Sequence, residues 1–161
     1  MMKNEVDNTI FNKNIYIEYP SDFYEMSDDE IKTFFADNLL RFGVRNANTH
    51  TILSVGKTKS SFINLFTNAK SVVCSAEKKL RNNLKDYVLN GEFDTKVFGK
   101  SAKGIRFEYT AVDNDVRQFC EMVVVKLNNC FYVVYCLSRL SDADDSRPLF
   151  ASFRDGLRFI K

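Results

Sequence analysis

Residues 116–138, VRQFCEMVVVKLNNCFYVVYCLS, constrain the fold more than any other stretch. Val, Phe, Tyr and Met dominate two runs, a composition that suits a pleated, buried surface. The turn signal between them is Asn128-Asn129. Asn tolerates the positive φ that primed two-residue hairpin turns demand. With that pair as the loop, Leu127 faces Cys130, Val125 faces Tyr132 and Val123 faces Val134. On the other face Val124 meets Val133, Met122 meets Tyr135 and Cys120 meets Leu137. A sheet with one wet face alternates apolar and polar residues; here both faces are apolar. The middle of the sheet must therefore be covered on both sides, most economically by helices.

The rest of the chain supplies such elements. Residues 1–13 read as a flexible tail, and 14–161 as a single domain without linker, repeat or low-complexity tract. Ile15–Tyr19 is a short strand that Pro20 stops, because proline cannot donate to a ladder. Ser27 and Glu30 form an S-x-x-E capping box, with Asp28 and Asp29 at the positive end of the helix dipole. Ile31, Phe34, Phe35, Asn38, Leu39 and Phe42 follow at helical spacing, and Gly43 is the expected stop. Residues 50–58 and 61–68 read as a second hairpin. Residues 71–90 read as the longest helix, with Val73, Ala76, Glu77, Leu80, Leu84 and Val88 inward and Gly91 as its C-terminal glycine. Residues 92–99 and 104–112 are strands. A polar bend over 141–147 leads to a last helix whose buried stripe is Leu149, Phe150, Phe153, Leu157 and Ile160. Short connections between runs of strands favour an antiparallel sheet in an α+β arrangement over alternating βα units.

Composition removes several classes of function. The chain has 161 residues, 45% of them hydrophobic, which supports a sizeable core. Net charge is +2, far from the excess of a dedicated nucleic-acid binder, so no nucleic-acid partner is expected. No apolar run approaches the ~18 residues of a membrane span. The start, MMKNEVDNTIFNKN, is polar and has no signal-peptide core, which points to the cytoplasm. Richness in Asn, Lys, Ile and Phe is compatible with the AT-rich genome of a microbe. The cysteines are Cys74, Cys120, Cys130 and Cys136; no CxxC spacing occurs, and one histidine cannot support a Cys/His zinc site. All four are expected reduced, with Cys120 and Cys136 on opposite faces of the hairpin. No metal and no cofactor is expected.

The motifs that could carry chemistry are sparse. SVGKTKSS over 54–61 contains G-K-T, but Thr51 stands where a P-loop needs its first glycine, and a strand over 62–66 is expected to follow instead of a helix. DADDSR over 142–147 has Arg147 where a calcium loop needs Gly and Phe153 where it needs Glu. His50 sits at a strand entrance and would have to serve any triad alone. Glu108 and Glu121 lie on adjacent strands, and spacing alone cannot place them in one pocket. Cys74 lies near the start of the long helix with Lys70 close by, a setting that lowers a thiol pKa and makes it the reactive-thiol candidate. Lys78, Lys79, Arg81 and Lys85 form a basic stripe that reads either as a solvated face or as a docking strip for an acidic partner.

Three pieces of the chain resemble the PsbP/Mog-like superfamily, which includes a photosystem extrinsic protein, a Ran-binding protein and many uncharacterised bacterial proteins. They are I-x-I-x-Y-P-x-D-F, here Ile15, Ile17, Tyr19, Pro20, Asp22 and Phe23; the G-I-R-F-E-Y strand from Gly104 to Tyr109; and the hairpin ending Phe131-Tyr132-Val133-Val134-Tyr135 before a Phe-rich terminal helix. The resemblance implies a central antiparallel sheet with helices packed on both faces, an α/β/α sandwich. It implies a non-enzymatic role, since relatives mostly bind other proteins, and one bacterial branch resembles chaperones for secreted toxins. The reading is thus a cytoplasmic binding or scaffold module for another protein or an apolar peptide segment. The alternatives are a toxin chaperone, a small thiol-dependent enzyme or sensor using Cys74, and a carrier with an aromatic-lined pocket.

Overall fold

Asn128 and Asn129 have φ angles of 51° and 64°, the two positive values that a primed two-residue turn requires. The computed structural model describes residues 5–160 except 36, 38, 60 and 61. In chain order its elements are β1 (Val6–Phe11), β2 (Ile15–Pro20), β3 (Phe23–Glu25), α1 (Asp28–Phe34), β4 (Leu40–Asn46) and β5 (Ile52–Lys57). A 3-10 helix (Phe62–Phe66) precedes α2 (Ala69–Asn83), then come β6 (Val88–Val97), β7 (Lys100–Thr110), β8 (Arg117–Leu127) and β9 (Cys130–Arg139). A second 3-10 turn (Leu140–Asp142) leads to α3 (Ala143–Asp155) and β10 (Arg158–Phe159).

The fold is α+β, with an antiparallel sheet of seven strands in the order β3-β4-β5-β9-β8-β7-β6 and a smaller sheet β1-β2-β10. Strands β8 and β9 are central, and their register is the one the Asn-Asn turn predicts, from Leu127 opposite Cys130 to Cys120 opposite Leu137. One apolar cluster gathers Val123, Val125 and Val134 with Phe150, Phe153 and Leu157, and with Phe11, Ile15 and Ile17. The other gathers Val124, Met122, Phe131 and Val133 with Val73, Ala76 and Leu80 of α2 and with Ile31 and Phe35. Aromatic rings fill the second cluster against one another: Phe107 lies 5.4 Å from Tyr87 and 6.0 Å from Tyr135, and Tyr135 is 5.4 Å from Phe35.

Several boundaries differ from the sequence reading. Val6–Phe11, read as tail, pairs with β2 from Val6–Pro20 to Phe11–Ile15. The Ser27–Glu30 capping box is present, but α1 ends at Phe34, and Asn38 lies outside the described residues. Leu39 and Phe42 are not on that helix; alternation in Leu40–Asn46 wins, sending Phe42 and Val44 into one core. Gly43 is not a helix stop: a Cβ there would stand 3.1 Å from the Met26 sulfur, so the glycine admits Met26. The expected strand over 62–66 is a 3-10 helix. Helix α2 starts earlier, on the Asn68 side chain, which accepts from the Ser71 N–H at 2.8 Å. It also ends earlier, because Gly91 is a bulge within β6 and Val88 belongs to that strand. Helix α3 absorbs most of the expected polar bend, and Leu157 and Ile160 lie beyond it.

Glu121 is the carboxylate in the middle of the hairpin, 3% exposed. Arg154 of α3 donates to it through Nη1 at 2.5 Å, and Arg106 of β7 through Nε at 2.8 Å. A buried carboxylate without such partners would be expelled or neutralised. The Arg106 guanidinium also lies 3.9 Å from the centre of the Phe93 ring, which covers Gly104, its cross-strand partner. A Cβ on Gly104 would meet that ring at 2.5 Å.

Two stability measurements follow from this packing. Val124 is fully buried, so Val124→Asp places an unpaired charge in the second cluster and abolishes the cooperative thermal transition seen by circular dichroism, at a cost above about 4 kcal/mol. Gly104→Ala displaces the Phe93 ring from beneath Arg106 and lowers stability in a denaturant titration by about 1–3 kcal/mol; an unchanged midpoint would show that the ring moves without cost.

Candidate functional site

Helix α2 packs on β7 and β8 and stops short of β6. The space left beside it is a cleft of about 280 Å³, walled by Lys70, Val73 and Cys74 from the helix. Its floor is Glu92, Phe93 and Asp94 of β6 with Lys103 and Gly104 of β7. Asp94 and Lys103 face each other across the strand pair and form an ion pair at 2.5 Å. Among the described residues Lys70, Cys74 and Glu92 make no ion pair or hydrogen bond through their side chains. The cleft thus presents a thiol, an ammonium and a carboxylate to solvent beside a neutralised pair.

Strand β6 is also the edge of the seven-stranded sheet, ten residues long and paired on one side to β7. Unpaired edge N–H and C=O groups invite an added strand. The bulge at Gly91 and the charges Glu92, Asp94 and Lys96 discourage indiscriminate pairing, while Leu89 remains 36% exposed. The cleft and the edge are continuous through Glu92, Phe93 and Asp94.

Cys74 is exposed and lies in the second turn of α2, because the helix starts at Ala69 and not Ser71. It stands beyond the unbonded N–H groups of the first turn. Cys120, Cys130 and Cys136 are buried, and burial pushes the Cys136 thiol up to about 12 and that of Cys120 higher still. None of the four forms a disulfide.

The basic stripe is split. Lys78 and Lys79 are exposed on α2, whereas Arg81 donates to the buried Glu77 at 2.6 Å. Glu77 also accepts from the Tyr87 hydroxyl at 3.2 Å, and burial with this carboxylate pushes Tyr87 well above the usual phenol value. Lys85 is not on the helix: its carbonyl accepts from the Thr110 N–H, and its Nζ lies 3.0 Å from Asp115. The stripe therefore does not form one continuous strip of unpaired cations.

The other sequence candidates resolve into structural parts. Gly56 lies in β5, where a Cβ would crowd Arg41 at 3.2 Å, so this glycine makes room for a buried guanidinium. His50 sits in the β4–β5 loop with φ of 60° and its Nδ1 3.1 Å from Arg45 Nη2. Glu108 is held by Arg117 at 3.2 Å, as Glu121 is by its two arginines, so the two carboxylates are taken by separate cations. Asp142 precedes α3 and accepts from Arg139 Nε at 3.1 Å. The cleft escaped the sequence because three separate elements build it; Cys74 and Lys70 were its local trace.

The fold is that of the PsbP-like proteins. It superposes on the cyanobacterial PsbP of Synechocystis with a TM-score of 0.67 at 11% identity, covering 98% of this chain and 94% of that one. It superposes on LpqN of Mycobacterium tuberculosis, involved in cell envelope biogenesis, with a TM-score of 0.64 at 13% identity, covering 98% and 93%. A Pseudomonas aeruginosa protein of unknown function gives 0.56 at 10% identity, covering 91% and 92%. No protein-family model matches the chain, and comparison with curated proteins finds no match. Among the described residues no helix is long and apolar enough to cross a membrane.

Thiol accessibility checks the placement of the cysteines. A chromogenic disulfide reagent at pH 8 reacts rapidly with one thiol in the folded chain and with four after denaturation, and Cys74→Ser removes the rapid phase. A second rapid thiol would mean that the hairpin opens at Cys120, Cys130 or Cys136.

Proposed function

We propose that the chain is a non-catalytic binding module that captures an extended segment of another protein along β6 and in the adjoining cleft. The reading takes the sheet as the centre of a sandwich, with α1 and α2 on one face and α3 on the other, acting in the cytoplasm. It is supported by one observation above all: a cleft of about 280 Å³ is continuous with a ten-residue edge strand paired on one side. Main-chain groups of the edge supply affinity for any extended peptide, and a pocket beside it selects alternate side chains. Leu89 and the wall residue Val73 favour an apolar side chain, while Lys70 and Glu92 favour flanking charges of both signs. The mixed charge also fits a partner that is neither strongly acidic nor strongly basic.

The cleft lacks the relay that nucleophilic catalysis needs. Among the described residues no base is hydrogen-bonded to Cys74, and His50 is held in the β4–β5 loop beside Arg45. Lys78 and Lys79, one turn along α2 from Cys74, form the rim available to a longer partner.

Cys74 provides the test because it lines the cleft and is dispensable for the core. Peptides selected by display against the whole chain bind it in fluorescence polarisation. Capping Cys74 with a bulky maleimide weakens them at least tenfold, and amides of β6 gain exchange protection on binding. Peptides whose affinity ignores the cap, or a selection that enriches none, would remove the cleft as the site.

A further inference from the structure

The register of the sheet sorts the chain's loops into two ends, and the ends carry opposite charge. Leu127–Cys130, Val97–Lys100, Lys57 opposite Tyr132 and Leu40 opposite Lys57 all lie at one end. The β1–β2 turn joins them, because Asn12 lies beside Tyr132. So does the start of α2, since Lys126 Nζ donates to the Thr67 carbonyl at 2.8 Å and Asn64 Nδ2 donates to the Asn129 carbonyl at 3.0 Å. Seven lysines stand at this end: Lys13, Lys57, Lys59, Lys70, Lys96, Lys100 and Lys126. Among the described residues none of the seven is in an ion pair. Of the carboxylates at this end Asp37 is taken by Arg41 and Asp94 by Lys103, which leaves Glu92, in the cleft with Lys70, to set against the seven. From 38 to 76 the sequence has no Asp or Glu at all.

The opposite end carries Asp22, Asp86, Asp113, Asp115, Asp142, Asp144 and Asp145 in its loops and at the start of α3. Of its cations Arg45, Lys85, Arg117 and Arg139 are each ion-paired, and Arg147 lies over the Phe119 ring. The net charge of +2 therefore hides a molecule polarised along its strands.

At the basic end Leu65 and Phe66 protrude, 56% and 78% exposed, and Leu40 is 56% exposed beside Lys57. Two adjacent apolar side chains at the tip of a short helical turn, among lysines that outnumber the free carboxylates, match a soft anionic surface. We propose that this end docks on an anionic lipid bilayer, with Leu65 and Phe66 entering the headgroup region and the lysines facing the phosphates. The cations favour lipid over nucleic acid. They are lysines in the main, with Arg158 beside the β1–β2 turn; lysines are compact point charges on long apolar stems that suit diffuse headgroups, whereas base and phosphate recognition draws on the planar fork of arginine. Each lysine near such a surface adds to attraction that fades within a Debye length, about 10 Å at 0.1 M salt. The acidic end is repelled by the same surface and fixes the orientation.

The chain has no tryptophan, so Phe66→Trp creates a single reporter at an exposed position. Vesicles of phosphatidylcholine with phosphatidylglycerol shift its emission to the blue, and phosphatidylcholine vesicles do not. In flotation assays the wild-type chain follows the mixed vesicles. Lys57→Glu with Lys59→Glu, or Leu65→Ser with Phe66→Ser, lowers the bound fraction about tenfold, and raised salt acts like the charge reversal. An emission unmoved by mixed vesicles overturns the proposal, whether or not a short RNA binds the same lysines.

Discussion

A strand pair with two apolar faces can turn neither side to water, and that condition on β8 and β9 sets the place of nearly everything else. Val123, Val125 and Val134 need one cover, and Val124, Met122 and Val133 need another. The first cluster includes Phe150, Phe153 and Leu157 with Phe11, Ile15 and Ile17, and the second includes Val73 and Phe35, with Ile31, Ala76 and Leu80 packed against it. Helix α2 owes its position to this demand more than to its own propensity, since isolated helices of about 15 residues are marginal in water. Its reach is matched to β7 and β8, and so β6 is left uncovered beside it. The cleft is a by-product of how far that cover extends.

Polar groups in this interior are tolerated where they tie elements together. Glu121 is inside a cluster of valines, yet it joins α3 to β7 through Arg154 and Arg106. Glu77 does the same for α2 and the segment after it, through Arg81 and Tyr87. Arg41 is buried against the Phe35 ring at 4.0 Å and donates to Ser54 and Asp37, holding the start of β4 to β5 and to the α1–β4 connection. Breaking a buried pair of this kind leaves an uncompensated charge, costing roughly 3–5 kcal/mol. That asymmetry gives each contact a role in specifying which helix sits where, beyond any net stabilisation.

The hairpin was legible because two things agreed: side chains repeating every second residue on both faces, and a turn dipeptide that fixes register without reference to anything distant. The capping box at Ser27 was legible for the same local reason. The errors arose where two periods coincided. Ile31, Phe34, Phe35 and Phe42 fit a helix, but Phe42 and Val44 also fit a strand, and pairing with β5 decided between them. Gly91 reads as a helix terminator until β7 is there to pair with, when it becomes a bulge. The Phe98–Gly99 turn gave no signal, since Phe at a φ of 56° is held by the Tyr132 ring 5.4 Å away. The cleft had the faintest trace of all. Its walls come from residues 70–74, 92–94 and 103–104, whose meeting depends on how many strands α2 covers.

Charge segregation and the open edge occupy different parts of one antiparallel sheet, and antiparallel order is what allows both. Every hairpin returns the chain to the same end, so loops separated by a hundred residues can share one electrostatic character while the strands between them stay apolar. Lys13 and Lys126 are far apart in sequence, yet Asn12 beside one reaches Tyr132 near the other. A basic loop end can thus orient the molecule without disturbing β6, whose long edge runs along the sheet's flank. Anchoring by the loops would leave that edge on the sheet's flank, open to a partner approaching from the side. The sequence spacing that makes a two-faced core also separates the surfaces on which two different contacts can be made at once.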